Sequence, residues 1–465
     1  MTRIALSVVL PLFVSVAVSG QVTTGALDSL VRQTQNDMTD ISDARRQEFA
    51  DDLEAYLEFE RQLKAEYDEY CQKVMEQWGD DAMVESSQKV WVEYGENDSS
   101  RTVVDFETGK VTVEVLADEN ESEADADAML VQALRNLMTS RGRTIGFNSA
   151  LAKDEPISDF PIIEGQLDLS KYQVAGNRPA ATASAGPKVN PSLGKGGKLS
   201  ISRTPASAGS SNGTMAQKAE QRREELARQE RERQEKLERE REAMAMTGVD
   251  AVADAIVSAG KPESKSVDTP AGKKKILKIE LQLVEDHIPK RAEQFKELVS
   301  ANSGKFSVDE PLIYAIMEQE SAFNPAAKSH VPAYGLMQLV PRSGGRDSYR
   351  YVFKVDKVPT ADYLFNPANN IELGTAYLRL LMTTSFANVT DSRCRMLCAI
   401  AAYNTGAGNV SRAFTGDTNI SKAIPRINSM AYDELYGHLK KYLPHGETRD
   451  YIQKVTGKMQ KYIKK

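Results

Sequence analysis

Between Phe49 and Trp78 the apolar residues recur at steps of three, four and seven, which is the spacing of one face of a helix. The stripe is rich in aromatic residues, and its members are Phe49, Leu53, Tyr56, Leu63, Tyr67, Tyr70, Val74 and Trp78. Aromatic side chains can grip sugar rings, but at helical spacing they are far more often part of a packed core. The pattern therefore predicts one long amphipathic helix whose aromatic face is buried.

After this helix apolar and polar residues alternate, which is the pattern of half-buried strands. The alternation runs through residues 90–94 and through residues 111–115. Between them, residues 103–106 lead into Glu107-Thr108-Gly109-Lys110, where the glycine favours a tight hairpin turn. These segments predict an antiparallel sheet backed by the long helix, so the N-terminal domain, residues 21–173, is expected to be α+β.

The middle of the chain lacks the residues that build a core. Residues 174–214 are rich in Ala, Gly, Ser and Pro, a composition typical of a flexible linker. Residues 217–242 are nearly all Glu, Arg, Lys and Gln, and their only large apolar residues are Leu226 and Leu237. Because two leucines cannot form a coiled-coil seam, this charged segment is predicted to be a solvated helix or a spacer rather than a dimerisation zipper.

A further alternating segment, residues 277–283, predicts another strand. No other strand is predicted beside it in the chain, so we expect residues 275–285 to complete the N-terminal sheet. Residues 174–274 would then be an insertion within the N-terminal domain.

The remainder of the chain, residues 286–465, is predicted to form a compact and mainly helical domain. One of its helices is expected to begin near residue 310, since Ser307 with Glu310 fits a capping box. Alternatively, Asp309 caps the helix and Pro311 lies in its first turn.

Glu320 lies at the end of an apolar stripe on this helix. Leu312, Ile316 and Glu320 are spaced by four residues, and at about 100° per residue they share one helical face. Desolvation at such a position raises the pKa of a carboxyl group and keeps a proton available for donation. Glu320 is therefore a candidate general acid, and the alternative is an exposed, inert glutamate at a frayed helix end. Glu318 points elsewhere and is predicted to be solvated.

Three later segments carry further candidate ligands. Residues 334–338 place Gly335 beside Gln338, so that the backbone can approach a ligand closely and the amide can donate and accept hydrogen bonds. Asn404 is expected at the end of a helix of small residues, as a cap or as a ligand contact. Tyr451 lies in a final helix whose last turns are rich in lysine, which suits the negative end of the helix dipole.

Composition and charge exclude several classes of protein. The length of 465 residues implies two or more domains, and the net charge of −7 argues against a general nucleic-acid binder. No phosphate-binding loop and no GxSxG sequence is present, so nucleotide binding and serine hydrolase chemistry are not expected. The four histidines show no spacing typical of metal ligands. We expect no metal and no cofactor.

The N-terminus and the cysteines bear on the compartment. Arg3 is followed by the apolar residues 4–18 and then by the small residues Ser19 and Gly20, which is the layout of a signal peptide cleaved after Gly20. Only three cysteines occur, which is too few for a disulfide framework. Cys394 and Cys398 are four apart in a predicted helix, where disulfide geometry is rare, so we expect buried free thiols.

Several motifs occur in order in the C-terminal domain and together resemble the lytic murein transglycosylases with a soluble-lytic-transglycosylase (SLT) domain. The similarity is greatest to the membrane-bound type C family. The residues that carry the resemblance are Glu320-Ser321, Phe323-Asn324-Pro325, Gly335-Leu336-Met337-Gln338, Ala402-Tyr403-Asn404 with Gly406, and Tyr451. The N-terminal domain also looks like that of the type C family, whereas the charged spacer does not.

The resemblance implies a lysozyme-like catalytic domain and an enzyme of the exotransglycosylase-type lyase class. Its substrate would be the peptidoglycan glycan strand, cut between N-acetylmuramic acid and N-acetylglucosamine to leave a 1,6-anhydromuramoyl end. Glu320 would be the single general acid and base, oriented by Ser321 and Tyr451. The residues implied to line the sugar groove are Gly335, Leu336, Met337, Gln338, Tyr403 and Asn404. The N-terminal domain would meet the wall or a wall protein.

Location and mechanism each leave an alternative. Members of the type C family are typically lipoproteins acylated on a cysteine, but Gln21 follows the predicted signal sequence here. We therefore expect a periplasmic enzyme without a lipid anchor, or one tethered by an uncleaved signal. A hydrolytic muramidase would need a second acid to activate water, for which Asp347, Asp356 and Asp362 are candidates. A wall-binding protein without catalysis is the non-enzymatic alternative.

Overall fold

A computed structural model describes residues 64–79, 83–140, 162–172 except 164, 248–329 and 333–463, with scattered positions between 47 and 62. The predicted signal segment, the linker at 174–214 and the charged segment at 217–242 lie outside the described residues, as does His330. Among the described residues, no helix is both long enough and apolar enough to cross a membrane.

The N-terminal domain contains one antiparallel sheet, described with five strands. These are β1 (Val90–Tyr94), β2 (Ser100–Asp105), β3 (Lys110–Asp118), β4 (Glu263–Thr269) and β5 (Gly272–Gln282), in the spatial order β1-β2-β3-β5-β4. The segment predicted to return to this sheet is β5, which pairs with β3 along its length, from Lys110 opposite Gln282 to Asp118 opposite Lys274. The centre of the sheet therefore joins strands that are far apart in the sequence.

The β2–β3 hairpin forms for the reason that its sequence suggests. The Asp105 carboxylate accepts hydrogen bonds from the backbone N–H groups of Glu107 and Thr108, at 2.9 and 3.1 Å. Gly109 has a φ of +75°, a conformation that residues with a Cβ atom rarely adopt. This turn sets the register in which Val111, Val113 and Val115 all point to the same buried face.

Helices cover both faces of the sheet. On one face, helix α1 (64–78) packs Val74 and Trp78 against Leu116, so the end of the predicted aromatic stripe is core. Tyr67 and Tyr70 are half-buried, and the side chains of Phe49, Leu53, Tyr56 and Leu63 lie outside the described part of the chain. On the other face lie helix α2 (Glu123–Thr139) and helix α3 (248–260). Leu130 and Leu134 of α2 and Ile256 of α3 share one core with the central strands, which closes the domain.

The predicted insertion at 174–274 is too long, because its last part belongs to the N-terminal domain. Residues 248–260 are helical, and β4 pairs with β5 along seven residues. β4 carries no alternating pattern because it is an edge strand on which Val267 is the only large apolar residue. Helix α2 also differs from the prediction, which placed no helix there. Its N-cap Ser122 accepts a hydrogen bond from the backbone N–H of Asp125, and its leucines recur with helical spacing.

The C-terminal domain is mainly helical in its described part, which confirms the predicted fold class of an α+β domain and a mainly helical one. Its α-helices are α4 (His287–Gln294), α5 (Lys296–Phe306), α6 (Glu310–Ser321), α7 (Arg346–Phe353), α8 (Ala361–Phe365), α9 (Pro367–Leu380), α10 (Ser392–Thr405), α11 (Ala407–Thr415), α12 (Ile420–Asn428), α13 (Tyr432–Tyr442) and α14 (Gly446–Ile463). Helix α6 lies at the centre, with every residue from Leu312 to Glu318 buried.

Two local predictions have different outcomes. The capping box at Ser307 is wrong: Ser307 ends α5 in the left-handed region with a φ of 53°, and Asp309 occupies the N-cap of α6 with Pro311 in the first turn. The prediction for the cysteines is confirmed, since Cys394 and Cys398 are buried free thiols on α10.

Candidate active site

Glu320 lies in the last turn of α6 and faces helix α14. The hydroxyl of Tyr451 on α14 donates a hydrogen bond of 2.6 Å to Glu320 Oε1. Glu320 is half-buried, whereas the preceding residues of its helix from Leu312 to Glu318 are fully buried. Glu320 thus lies at the edge of the core and is partly open to solvent.

The surroundings of Glu320 favour its protonated form. Burial raises the pKa of this carboxyl group to about 7. The hydrogen bond from Tyr451 and the positive charges of Lys89 and Lys458 lower the pKa, while the negative charge of Glu447 raises it further. A carboxyl group with this pKa can both give up and take back a proton near neutral pH.

Two tyrosines stay neutral beside this carboxyl group. Burial raises the pKa of Tyr451 and of Tyr403 well above the ordinary range, and the charge of Glu320 adds to the effect on each. The hydroxyl group of Tyr403, on α10, donates a hydrogen bond of 2.8 Å to the backbone carbonyl oxygen of Met337. Neutral hydroxyl groups are hydrogen-bond donors at any physiological pH, so both side chains can hold fixed positions.

The segment Gly335 to Gln338 lies behind the site. Leu336 and Met337 are fully buried and belong to the core, and their predicted place along a sugar groove stays a prediction. Gly335 has a φ of +75°, and a Cβ atom there would be 2.4 Å from the carbonyl oxygen of Leu364 and from Asn370 Nδ2. The glycine is therefore required by packing within the protein, which differs from the expectation that it admits a ligand.

Gln338 has an acceptor to spare. Its side-chain nitrogen donates to the carbonyl oxygens of Ala327 and Gly335, at 2.9 and 3.0 Å. Its oxygen Oε1 is buried and has no hydrogen-bond partner among the described residues. Because a buried acceptor without a partner is costly, this oxygen is suited to a donor from an incoming molecule.

The side chains of Ser321 and Asn404 form hydrogen bonds with other parts of the protein. The buried hydroxyl of Ser321 lies 2.8 Å from the carbonyl oxygen of Leu336 and 3.0 Å from that of Met317, so it joins α6 to the segment behind the site. The expectation that Ser321 orients Glu320 stays a prediction, and both of these bonds act on the backbone next to Glu320. Asn404 accepts a 2.6 Å hydrogen bond from Thr448, which ties α10 to α14.

Glu318 was predicted to be solvated, and this is wrong. It is only 5% exposed and accepts hydrogen bonds from Lys461 Nζ at 2.8 Å and from the Tyr462 hydroxyl at 2.6 Å. Burial by itself would raise the pKa of Glu318, but these hydrogen bonds and the nearby charge of Lys458 hold it below its ordinary value. The prediction failed because these partners are on α14, far away in the sequence.

The N-terminal domain reaches the edge of the site, which no sequence pattern indicated. Lys89, just before β1, forms an ion pair with Glu107, and its charge lowers the pKa of Glu320. The carbonyl oxygen of Gln88 accepts a 3.4 Å hydrogen bond from Asn324, three residues after Ser321. Residues of both domains therefore surround the end of α6.

The three aspartates considered as a second acid are engaged elsewhere. Asp356 accepts two hydrogen bonds from Arg346, at 2.7 and 2.8 Å, and Asp347 accepts one from Arg350 at 3.3 Å. Asp362 lies in the first turn of α8. The acid whose charge acts on Glu320 is instead Glu447, an exposed residue in the first turn of α14.

The helical domain that carries this site is of a known class. Residues 297–424 match the family model described as the transglycosylase SLT domain. Residues 56–173 match a second model, described as the N-terminal domain of membrane-bound lytic murein transglycosylase C. The chain thus resembles this type C family in both of its domains, and the resemblance drawn from the motifs is confirmed.

Individual relatives extend over part of the chain. The protein named membrane-bound lytic murein transglycosylase C from Klebsiella pneumoniae subsp. pneumoniae is 43% identical over 194 residues, which are 42% of this chain and 53% of that protein. The protein of the same name from Yersinia enterocolitica is 40% identical over 200 residues, or 43% and 55% of the two chains. The chain thus spans about half the length of the curated relatives that it matches.

Among solved structures, the chain is similar to the 70-kDa soluble lytic transglycosylase from Escherichia coli. The two are 26% identical over 38% of this chain and 25% of that one, with a TM-score of 0.28.

Proposed function

We propose that this protein is a peptidoglycan lytic transglycosylase that cuts between N-acetylmuramic acid and N-acetylglucosamine, with Glu320 as its single general acid and base. The observation that carries the proposal is the carboxyl group of Glu320, which is held by Tyr451 at 2.6 Å in surroundings that raise its pKa to about 7. The matches to the SLT domain and to the type C N-terminal domain support the reaction class.

In the proposed reaction one proton passes through Glu320. The protonated carboxyl group donates to the glycosidic oxygen as the bond from that oxygen to the anomeric carbon breaks. The resulting carboxylate then removes the proton from the C6 hydroxyl of the muramic acid, whose oxygen bonds to the anomeric carbon. Glu320 ends protonated, no water is consumed, and the products are a free 4-hydroxyl and a 1,6-anhydro ring.

The neighbours of Glu320 suit both halves of this cycle. Burial keeps the proton in place until the substrate arrives, since it raises the pKa of the carboxyl group. The Tyr451 hydroxyl and the charges of Lys89 and Lys458 stabilise the carboxylate once it has formed. We propose Tyr451 as the residue that orients Glu320, while Ser321 acts only through the backbone of α6.

The sugar is proposed to lie between the segment at Gln338 and the end of α10. Gln338 Oε1 is a buried acceptor that a hydroxyl or acetamido N–H of the substrate can satisfy. Asn404 uses its oxygen for Thr448, so its amide nitrogen is the group offered to a sugar. Tyr403 presents its ring beside Glu320, while Gly335, Leu336 and Met337 support the groove from the core.

The cell envelope is the proposed location. The curated relatives are named membrane-bound murein transglycosylases, and the predicted signal segment would deliver this chain to the periplasm. Because Gln21 stands where the family carries its acylated cysteine, we propose that no lipid is attached there. Mass spectrometry of the exported N-terminus tests this, and a fatty-acylated N-terminus would overturn it.

The test of the reaction is mass spectrometry of purified peptidoglycan after digestion. The wild-type protein should release muropeptides with 1,6-anhydro ends, and Glu320→Gln should reduce the rate by about 10² to 10⁴-fold while wall binding and folding persist. Glu310→Gln, at the start of the same helix, is the matched control and should keep full activity. Full activity of Glu320→Gln would end the proposed role.

One observation favours a hydrolytic muramidase as the second candidate. Glu447 acts electrostatically on Glu320 and is exposed, so it is the acid best placed to activate a water molecule. Hydrolysis in oxygen-18 water would give labelled reducing ends that depend on Glu447, and such ends would replace the transglycosylase proposal. Wall binding without release of any product would instead point to a non-catalytic binding protein.

A further inference from the structure

Arg291, on α4, is a buried cation with no acidic partner among the described residues. It is 1% exposed, and burial lowers its pKa to about 9, so it stays charged at neutral pH. Its guanidinium group donates hydrogen bonds to three backbone carbonyl oxygens: that of Ile162 at 2.7 Å, that of Phe323 at 2.7 Å and that of Ala322 at 3.3 Å. The guanidinium carbon also lies 3.7 Å from the centre of the Phe106 ring.

These contacts belong to two domains. Phe106 follows β2 in the N-terminal domain, and the segment of Ile162 is hydrogen-bonded to the end of β5, where the backbone N–H of Asp168 donates to the carbonyl oxygen of Gln282. Ala322 and Phe323, by contrast, form the turn that ends α6, directly after Glu320 and Ser321. A single side chain therefore joins the N-terminal domain to the backbone beside the proposed catalytic acid.

The turn that Arg291 holds is an unfavourable one. Ala322 and Phe323 both have positive φ angles, 49° and 61°, and residues with a Cβ atom rarely adopt this region. Two successive left-handed residues point their carbonyl groups in directions that the helix itself cannot satisfy. Arg291 can satisfy these carbonyl groups because its planar guanidinium group donates hydrogen bonds in several directions at once.

Stability alone does not explain an arginine at this position. Burying a cation without a counter-ion is costly, so a contact that only filled space would need no more than an apolar side chain. What an apolar side chain cannot do is bind the carbonyl groups of Ile162 and Phe323 together. The chemistry of the contact is therefore directional, which points to a role in positioning the turn.

Two neighbouring hydrogen bonds also join this part of the helical domain to the N-terminal domain. His287, four residues before Arg291 on α4, places Nε2 3.0 Å from the carbonyl oxygen of Phe106. Asn324, just after the turn, donates to the carbonyl oxygen of Gln88 at 3.4 Å. The N-terminal domain thus holds the chain on both sides of Arg291.

We propose that Arg291 is a positioning residue of the active site, which fixes the turn after α6 against the N-terminal domain and so holds Glu320 against Tyr451. This inference rests on the proposed function of Glu320. It makes the N-terminal domain a structural part of the active site, because Phe106 and Ile162 supply half of the contacts.

The test is a carbon-13 NMR titration of the glutamate carboxyl groups in the whole chain, with Glu320 assigned by loss of its signal in Glu320→Gln. In Arg291→Met we expect the measured pKa of Glu320 to fall by about one pH unit toward its ordinary value, because a loosened turn admits water to the carboxyl group. The charged and titratable groups that act on Glu320 remain in place in this variant, and they are Tyr451, Tyr403, Glu447, Lys89 and Lys458.

The matched control is Lys290→Met, which removes the neighbouring cation of the same helix. Lys290 is exposed and forms an ion pair with Asp286 at 2.9 Å, away from the contacts of Arg291, so the pKa of Glu320 should not change. Phe106→Leu removes the aromatic contact from the side of the N-terminal domain, and it should shift the pKa of Glu320 in the same direction as Arg291→Met. Combined with Arg291→Met, it should add little, because both act through one contact.

Kinetics provide the second readout. Arg291→Met should lower kcat about tenfold or more and change KM less than about twofold, since the turn positions the acid and does not touch the substrate. Arg291→Lys keeps the charge but loses the planar guanidinium group, so its kcat should lie between those of the wild type and of Arg291→Met.

The outcome that overturns the proposal is a folded Arg291→Met with a lower Tm but an unchanged pKa of Glu320 and an unchanged kcat. If Arg291→Met does not fold, Arg291→Lys decides the question by the same two measurements. The NMR titration needs no turnover, so it is independent of the proposed function. A wild-type protein that releases no product rejects the lytic activity, while a shifted pKa in the Arg291 variants still supports the positioning role.

Discussion

At the scale of single residues, Glu318 and Glu320 show how surroundings decide the chemistry of a carboxyl group. They are two positions apart on α6, yet the pKa of Glu318 is held below its ordinary value and that of Glu320 is raised to about 7. The difference lies in their partners. Glu318 accepts hydrogen bonds from a lysine and a tyrosine, whereas Glu320 accepts one from a single tyrosine hydroxyl in a poorly solvated position. The first is structural and the second is suited to proton transfer.

The raised pKa of Glu320 makes a prediction about stability and pH. The folded protein binds this proton up to about pH 7, while the unfolded chain releases it near its ordinary value of 4.5. The folded state therefore holds more protons between these values, and the free energy of unfolding contributed by Glu320 falls as the pH rises across this window. Glu320→Gln removes this pH-dependent cost, so the variant should be more stable than wild type at pH 8, by up to about 3 kcal/mol.

Urea unfolding of both proteins at pH 4 and pH 8 measures this effect. The difference between Glu320→Gln and wild type should be larger at pH 8 than at pH 4, because Glu320 is charged only at the higher pH. Glu310→Gln serves again as the reference for a Glu-to-Gln substitution on the same helix. A difference that is equal at both pH values would contradict the raised pKa.

At the scale of elements, the site depends on contacts between helices that do not adjoin in the sequence. Helix α6 is held to α14 by the hydrogen bonds of Glu318 with Lys461 and Tyr462 and, two residues further along α6, by the hydrogen bond from Tyr451 to Glu320. Behind it, Ser321 and Tyr403 both bond to carbonyl groups of the segment 335–338. That segment therefore links α6 to α10.

Gly335 makes this segment sensitive to substitution. We expect Gly335→Ala to destabilise the protein by at least about 3 kcal/mol, because the alanine is strained at a φ of +75° and its Cβ atom would be 2.4 Å from Leu364 O and Asn370 Nδ2. Gly304→Ala on α5 has nothing within 4 Å of the added atom and should instead stabilise by about 0.5–1 kcal/mol. Thermal unfolding of the two variants gives the comparison, and similar effects of both would contradict this account of Gly335.

At the scale of the whole molecule, the N-terminal sheet is completed by strands that lie on the far side of residues 173–247. Nine residues of β3 pair with β5, and α3 adds Ile256 and Val257 to the core beneath the sheet. The domain is therefore one cooperative unit built from two distant stretches of the chain.

A cut in the middle of the chain should leave these two stretches associated. We expect a protein with an engineered protease site near residue 195 to stay together after cleavage, because the β3–β5 pairing and the hydrogen bond from Arg291 to Ile162 join one fragment to the other. Size-exclusion chromatography under native conditions measures this, with the uncleaved protein as the reference. Separation of the two fragments without denaturant would show that the domain does not depend on β5 in the way described.

Much of the local structure was predictable because it follows from short-range periodicity. The spacing of Leu312, Ile316 and Glu320 placed a carboxyl group at the end of a buried stripe, and the alternation at 111–115 and 277–283 indicated the two central strands. Helix α2 carried the same kind of signal in Leu130, Leu134 and Leu137 and could have been found. Strand β4 could not, because an edge strand of polar residues has no period that distinguishes it from a linker.

The amino-acid sequence by itself determined the fold class, the family resemblance and the candidate acid Glu320, because periodicity and motif order are local properties of a chain. Only the tertiary structure decided which groups meet around that acid. Lys89, Glu447 and the buried Arg291 come from three separate parts of the sequence, and their effect depends on distance and burial. Electrostatic forces act through space, so no pattern along the chain could have assigned them.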